Sequence, residues 1–68
     1  MAGHVYKTIE LTGTSSDSIE SAVNGALERA ADTTRGLRWI EVTEIRGNVV
    51  DNRVDHWQVS MKVGFSVE

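Results

Sequence analysis

Residues Trp57-Gln58-Val59-Ser60-Met61-Lys62-Val63-Gly64-Phe65-Ser66-Val67-Glu68 alternate without a break. Trp57, Val59, Met61, Val63, Phe65 and Val67 fall on one parity. Gln58, Ser60, Lys62, Gly64, Ser66 and Glu68 fall on the other, and His56 extends the polar series. Side chains on a strand point to opposite faces with a period of two, so this strand must bury one face and leave the other polar. Upstream, Leu37 to Val50 forms a second long extended stretch, and Asp51-Asn52 between them are residues that tolerate positive φ. A two-residue turn there sets Val42 opposite Met61, Ile40 opposite Val63 and Glu41 opposite Lys62. Two apolar pairs and one opposite-charge pair agree with a single register. The same register sets Trp39 opposite Gly64 on the polar face. Ile45 breaks the parity, which calls for a bulge near Glu44 to Gly47.

Working further upstream, Ile19, Ala22, Val23, Ala26, Leu27, Ala30 and Ala31 recur at helical spacing and form one apolar stripe. The stripe is mostly Ala, so the helix can lie close to its support. Ser15 or Ser16 is expected to cap it, with Asp17 and Glu20 favourable in its first turns. Gly36 is the expected terminator, with Arg35 in the last turn. His4 to Thr12 reads as the first strand. The order is therefore β-α-β-β, an α+β fold. The first and second strands, joined by the helix, should run parallel, so an antiparallel three-stranded sheet requires the last strand in the middle, in the order 1-3-2. The sheet wraps one helix, and nothing in the chain is left to cover its polar face. Residues 1–68 read as one domain, without a linker, repeat or low-complexity tract.

The chain has 68 residues and a formal net charge of −3, with no Cys and no Pro. No disulfide can staple the fold, and a chain this short buries only about 60% of its unfolded surface alone. Oligomerisation is the remaining common solution. A sequence pI of 5.2 argues against a nucleic-acid binder, which needs clustered cations. No apolar run approaches the roughly 20 residues of a membrane helix. The first residues lack the apolar core of a signal peptide, so a cytoplasmic location is expected.

Trp39 is the most informative residue. It reads as an oligomer-interface tryptophan or as a stacking platform for a planar ligand, and the two are compatible if the ligand sits inside an interface. Gly64 opposite leaves room over the strand. Gln58 reads as a solvated amide or as an edge reader for a heterocycle. It lies six residues along from the position opposite Trp39, about 20 Å at strand rise. If the two residues share a small ligand, different subunits supply them. His4 and His56 read as solvated or capping residues. They lack metal-motif spacing, and no nucleophile, general base or carboxylate pair is arranged for catalysis. Gly13-Thr14-Ser15-Ser16 before the helix lacks the Lys of a phosphate loop.

Several short runs carry a resemblance across nearly the whole chain. They are Val5-Tyr6-Lys7, Gly13-Thr14-Ser15, Leu37-Arg38-Trp39-Ile40-Glu41-Val42, Glu44-Ile45-Arg46-Gly47, His56-Trp57-Gln58-Val59 and Lys62-Val63-Gly64-Phe65. In order and spacing they resemble the dodecins, small flavin-binding proteins. The resemblance implies the same β-α-β-β fold and a hollow homododecamer holding flavin, riboflavin or FMN, in pairs at subunit interfaces. Some members also hold coenzyme A. Trp39 matches the flavin-stacking tryptophan and Gln58 the glutamine at the isoalloxazine edge. Arg46 matches a basic position near the flavin, and Tyr6, Lys7 and Arg29 match positions that approach ligand tails. Ser66 departs from the Arg common in bacterial members, which weakens a claim to a phosphate tail or to coenzyme A. Trp57 replaces a Tyr or Phe, and Ser16 a Pro or acidic residue. The resemblance implies a non-enzymatic flavin store, buffer or photoprotector. A structural scaffold oligomer and, behind it, a flavin-dependent reductase are the alternatives.

Overall fold

The computed structural model describes residues 3–67; Glu68 and the two N-terminal residues of the expected domain lie outside the described residues. Strand β1 (Val5–Ser15) leads to helix α1 (Ile19–Ala31), then β2 (Leu37–Val50) and β3 (Arg53–Val67). The sheet order is β1-β3-β2, and both pairings are antiparallel. This is the expected α+β topology, with the alternating strand in the centre.

The β2–β3 turn is tight because Asp51 and Asn52 both take positive φ, 53° and 64°. The expected pairs Val42–Met61, Ile40–Val63, Glu41–Lys62 and Trp39–Gly64 all form. Of three irregularities in the β2–β3 pairing, one is an extra residue, Arg38, between the Trp39–Gly64 and Leu37–Phe65 pairs, and the other two cancel. Asp55 is an extra residue on β3 between the Val49–Val54 and Asn48–His56 pairs, and Thr43 is an extra residue on β2 between Glu44–Ser60 and Val42–Met61. The bulge therefore sits at Thr43, just ahead of the expected span, and the Thr43 hydroxyl donates to the Ser60 carbonyl at 3.2 Å. Between the two bulges the frame is shifted by one, which brings Ile45 opposite Val59.

The helix begins later than Ser15 or Ser16 would place it. Ser15 is still in β1, paired with Trp57, and its Oγ accepts from the Asp17 and Ser18 amides. Ser18 is the N-cap, and its side chain accepts from the Ser21 amide at 3.0 Å. The helix stops at Ala31, so Arg29 rather than Arg35 occupies its last turn. Gly36 lies beyond the helix, where φ of +75° turns the chain into β2.

The core is Ala22, Val59, Met61 and Val63, with Ile9, Leu11, Val23, Ala26, Leu27 and Leu37 packed around it. The Ala stripe permits close approach. A methyl group at Gly13 would overlap the Ala22 carbonyl and lie 3.0 Å from the Ala26 Cβ. Both ends of the stripe, Ile19 and Ala31, are exposed. The helix packs on β1 and β3 and hardly touches β2. Consequently every β2 residue after Leu37 is exposed. The radius of gyration is 14.2 Å, against about 11 Å for a compact chain of this length. The hairpin reaches past the helix as an arm.

Candidate functional site

Pairing assigns the two sheet faces. Val59, Met61 and Val63 face the helix, with Gly13, Leu11 and Ile9 beside them on β1 and Ile45, Val42 and Ile40 on β2. The opposite face carries the rows Thr8–Gly64–Trp39, Glu10–Lys62–Glu41, Thr12–Ser60–Glu44 and Thr14–Gln58–Arg46. Among the described residues no element covers this second face.

Trp39 stands at one end of it. Its indole lies over Gly64, where any side chain would overlap the Cδ2, Cε2 and Cζ2 atoms of the ring. Gly64 is buried beneath the ring while Trp39 remains 43% exposed. A flat aromatic surface is thus held against backbone on one side and offered to solvent on the other.

Gln58 lies farther along the same face, and its amide is engaged at both ends. Arg46 Nε donates to Gln58 Oε1 at 3.0 Å. Gln58 Nε2 meets His56 Nε2 at 3.3 Å, and His56 Nδ1 meets Asp55 Oδ2 at 2.9 Å. Asp55 and His56 are neighbours in sequence, and on a regular strand they would point to opposite faces. The extra residue at Asp55 removes that constraint. Glu44 adds a looser, exposed ion pair to Arg46 at 3.8 Å, a kind of contact worth little in water.

The structure therefore brings Arg46 together with Gln58 and leaves Trp39 apart from both, as the strand distance required. Tyr6 is on the Trp39 face, opposite Ser66, at the same end of the sheet. Lys7 has the opposite parity and pairs with Phe65. Arg29 lines a groove between β1 and α1 with Thr12, Thr14 and Ala26. Lys7 and Arg29 do not join the Trp39 or Gln58 groups within one chain. Asp55 and His56 were not singled out as site residues by sequence reasoning. The shared parity of His56 and Gln58 was the available signal.

The sequence model of the family described as Dodecin matches residues 5–68. A dodecin of Thermus thermophilus is 48% identical over 66 residues, spanning 97% of this chain and 96% of its own. The chain belongs to the dodecin family. A crystallised variant of the Thermus thermophilus dodecin superposes with a TM-score of 0.92 at 48% identity, covering 97% of each chain. The dodecin of Streptomyces coelicolor also gives 0.92, at 47% identity, over 100% of this chain and 97% of its own. The β-α-β-β topology in the order β1-β3-β2 is thus that of the dodecin fold. Among the described residues no helix is long and apolar enough to cross a membrane.

Proposed function

We propose that this chain is a non-enzymatic flavin-binding protein of the cytoplasm that stores, buffers or photoprotects riboflavin or FMN at the subunit interfaces of a hollow homododecamer. The observation that carries this reading is Trp39, a half-exposed indole seated on Gly64 in an uncovered sheet face. The face fits an isoalloxazine. Trp39 supplies a stacking surface, Gln58 a donor and an acceptor for the ring edge, and Arg46 a cation beside it. About 20 Å separates the two ends of the face in one chain, so Trp39 of one copy and Gln58 of another serve one ligand. Copies related by a two-fold present Trp39 twice and bracket a pair of rings. The bound flavin would supply light absorption and redox capacity, and stacking on Trp39 provides a route to quench its excited state.

Titration with riboflavin and FMN, read by flavin fluorescence, tests this directly. Binding with a fall in fluorescence and a light-scattering mass of twelve chains is the expected result. Assembly without flavin binding would leave the scaffold reading. Turnover of a reduced nicotinamide would establish the reductase.

A further inference from the structure

We infer that His56 is a positioning residue that fixes which way the Gln58 amide faces, so that the hydrogen-bonding pattern shown to a ligand is linked to a proton on His56. The inference rests on the reading of Gln58 as the residue that meets the ligand edge.

The two ends of a glutamine amide have nearly the same shape, so sterics alone do not choose between them. Hydrogen bonding does. Arg46 Nε only donates, so the atom 3.0 Å from it must be the Gln58 oxygen. Gln58 Nε2 then donates towards His56 Nε2 at 3.3 Å, which must carry a lone pair. The imidazole proton is left on Nδ1, where the Asp55 carboxylate accepts it at 2.9 Å. One proton assignment satisfies every link from Asp55 to Arg46. It leaves Gln58 with one free N–H and one free oxygen lone pair. These complement an N–H beside a C=O, the edge of a cyclic imide such as the pyrimidine ring of a flavin.

A second proton on His56 breaks this assignment. Both ring nitrogens then donate, and Nε2–H confronts the Gln58 N–H. Turning the amide over relieves that conflict but sets its NH2 against Arg46 Nε–H. Either way one link is lost and the pattern offered to the ligand is reversed or released. Of the charged groups in this chain of contacts, Asp55 meets His56 itself, while Arg46 meets Gln58 and Glu44 meets Arg46 on β2. Its β2 neighbour Asn48 and the β1 residue opposite Gln58, Thr14, are uncharged. Among ordinary side-chain types, histidine is the one that gains or loses a proton near neutral pH.

Riboflavin is the probe, because it lacks a titrating phosphate. The assembled wild type should bind it about fivefold more weakly at pH 5.5 than at pH 8, the loss of one hydrogen bond. His56→Gln, whose oxygen accepts from Gln58 without titrating, should bind equally at both pH values. Nitrogen-15 NMR of the ligand-free assembly supplies the independent readout. At pH 8 the proton should be on Nδ1, and the Gln58 side-chain amide signals should move with the midpoint of His56. An Nε2–H tautomer at pH 8 overturns the inference, as do Gln58 signals indifferent to His56. Equal wild-type affinity at both pH values, or an unchanged pH slope in His56→Gln, overturns it too. Coupled NMR titration without riboflavin binding supports the positioning role and defeats the flavin reading alone.

Discussion

The indole of Trp39 rests on Gly64 across the β2–β3 pairing, and the bare backbone there is what lets it lie down. Gly64 lies in extended strand backbone, outside the left-handed region. Its requirement is space, not conformation. A tryptophan on an edge strand otherwise has rotamers open to solvent, so this one contact sets the height and tilt of the platform.

Gly64→Ala should therefore act on ligand binding before stability. The added methyl group meets a ring that is 43% exposed and free to swing away. Riboflavin affinity should fall by about 1–3 kcal/mol, the range of base–aromatic stacking, while the light-scattering mass stays that of wild type. Undiminished affinity would show that the seated ring is not the stacking surface.

Trp39→Ala removes the platform itself. It should weaken riboflavin binding by about 1–3 kcal/mol and abolish quenching of whatever flavin still binds. Because the ring packs on Gly64 rather than in the Ala22–Val59–Met61–Val63 core, assembly should persist. Fluorescence titration with light scattering on the same sample checks both halves.

The residues that made this fold legible are those of β3, whose unbroken alternation required a covered face; its central position followed from the helix joining two parallel strands. The register at Trp39 was legible for a less obvious reason. Extra residues at Asp55 and Thr43 lie on opposite strands, so the frame counted from the Asp51-Asn52 turn is restored beyond both. Ile45 betrayed one of them by its parity, but a bulge accepts many residue types, so its position was off by a residue. The helix start was expected at Ser15 or Ser16, whereas the cap is Ser18. The choice was made by tertiary pairing, because β1 runs on to Ser15 to meet Trp57. Trp39 and Gln58 were legible as members of the uncovered polar face from parity and residue type. The Asp55–His56–Gln58–Arg46 chain was not, since it depends on the bulge and on side-chain rotamers, neither of which has a periodic signature.

Gly13→Ala should be a stability variant with no direct effect on the ligand face. Here the added methyl group would meet the Ala22 backbone carbonyl, which cannot swing aside as Trp39 can. Gly13 and Ala22 are both buried. The helix must lift from the sheet, at a cost of about 1–3 kcal/mol typical of overpacking. Thermal unfolding should show a lowered midpoint, and a wild-type midpoint would mean that the helix has slack against β1.

The last prediction concerns the face that the helix leaves bare. The row Leu11–Met61–Val42 begins under α1 and ends outside it. Met61 is 1% exposed, whereas Val42 is 42% exposed, with Ile40 at 37% and Ile45 at 49% on the same strip of β2. The accessible surface of the chain is 5234 Å², against about 4,200 Å² for a compact monomer of its mass. An edge strand this long also leaves a row of backbone donors and acceptors unpaired. In the proposed assembly other copies cover this strip, so a carboxylate at Val42 would be buried without a counter-ion. Val42→Glu should therefore lower the light-scattering mass from the full assembly to single chains or small oligomers and depress the unfolding midpoint. Val42→Ile, which keeps the apolar surface, should retain the full mass. A Val42→Glu protein with wild-type mass would place this strip in solvent in the assembly and require a different packing of the copies.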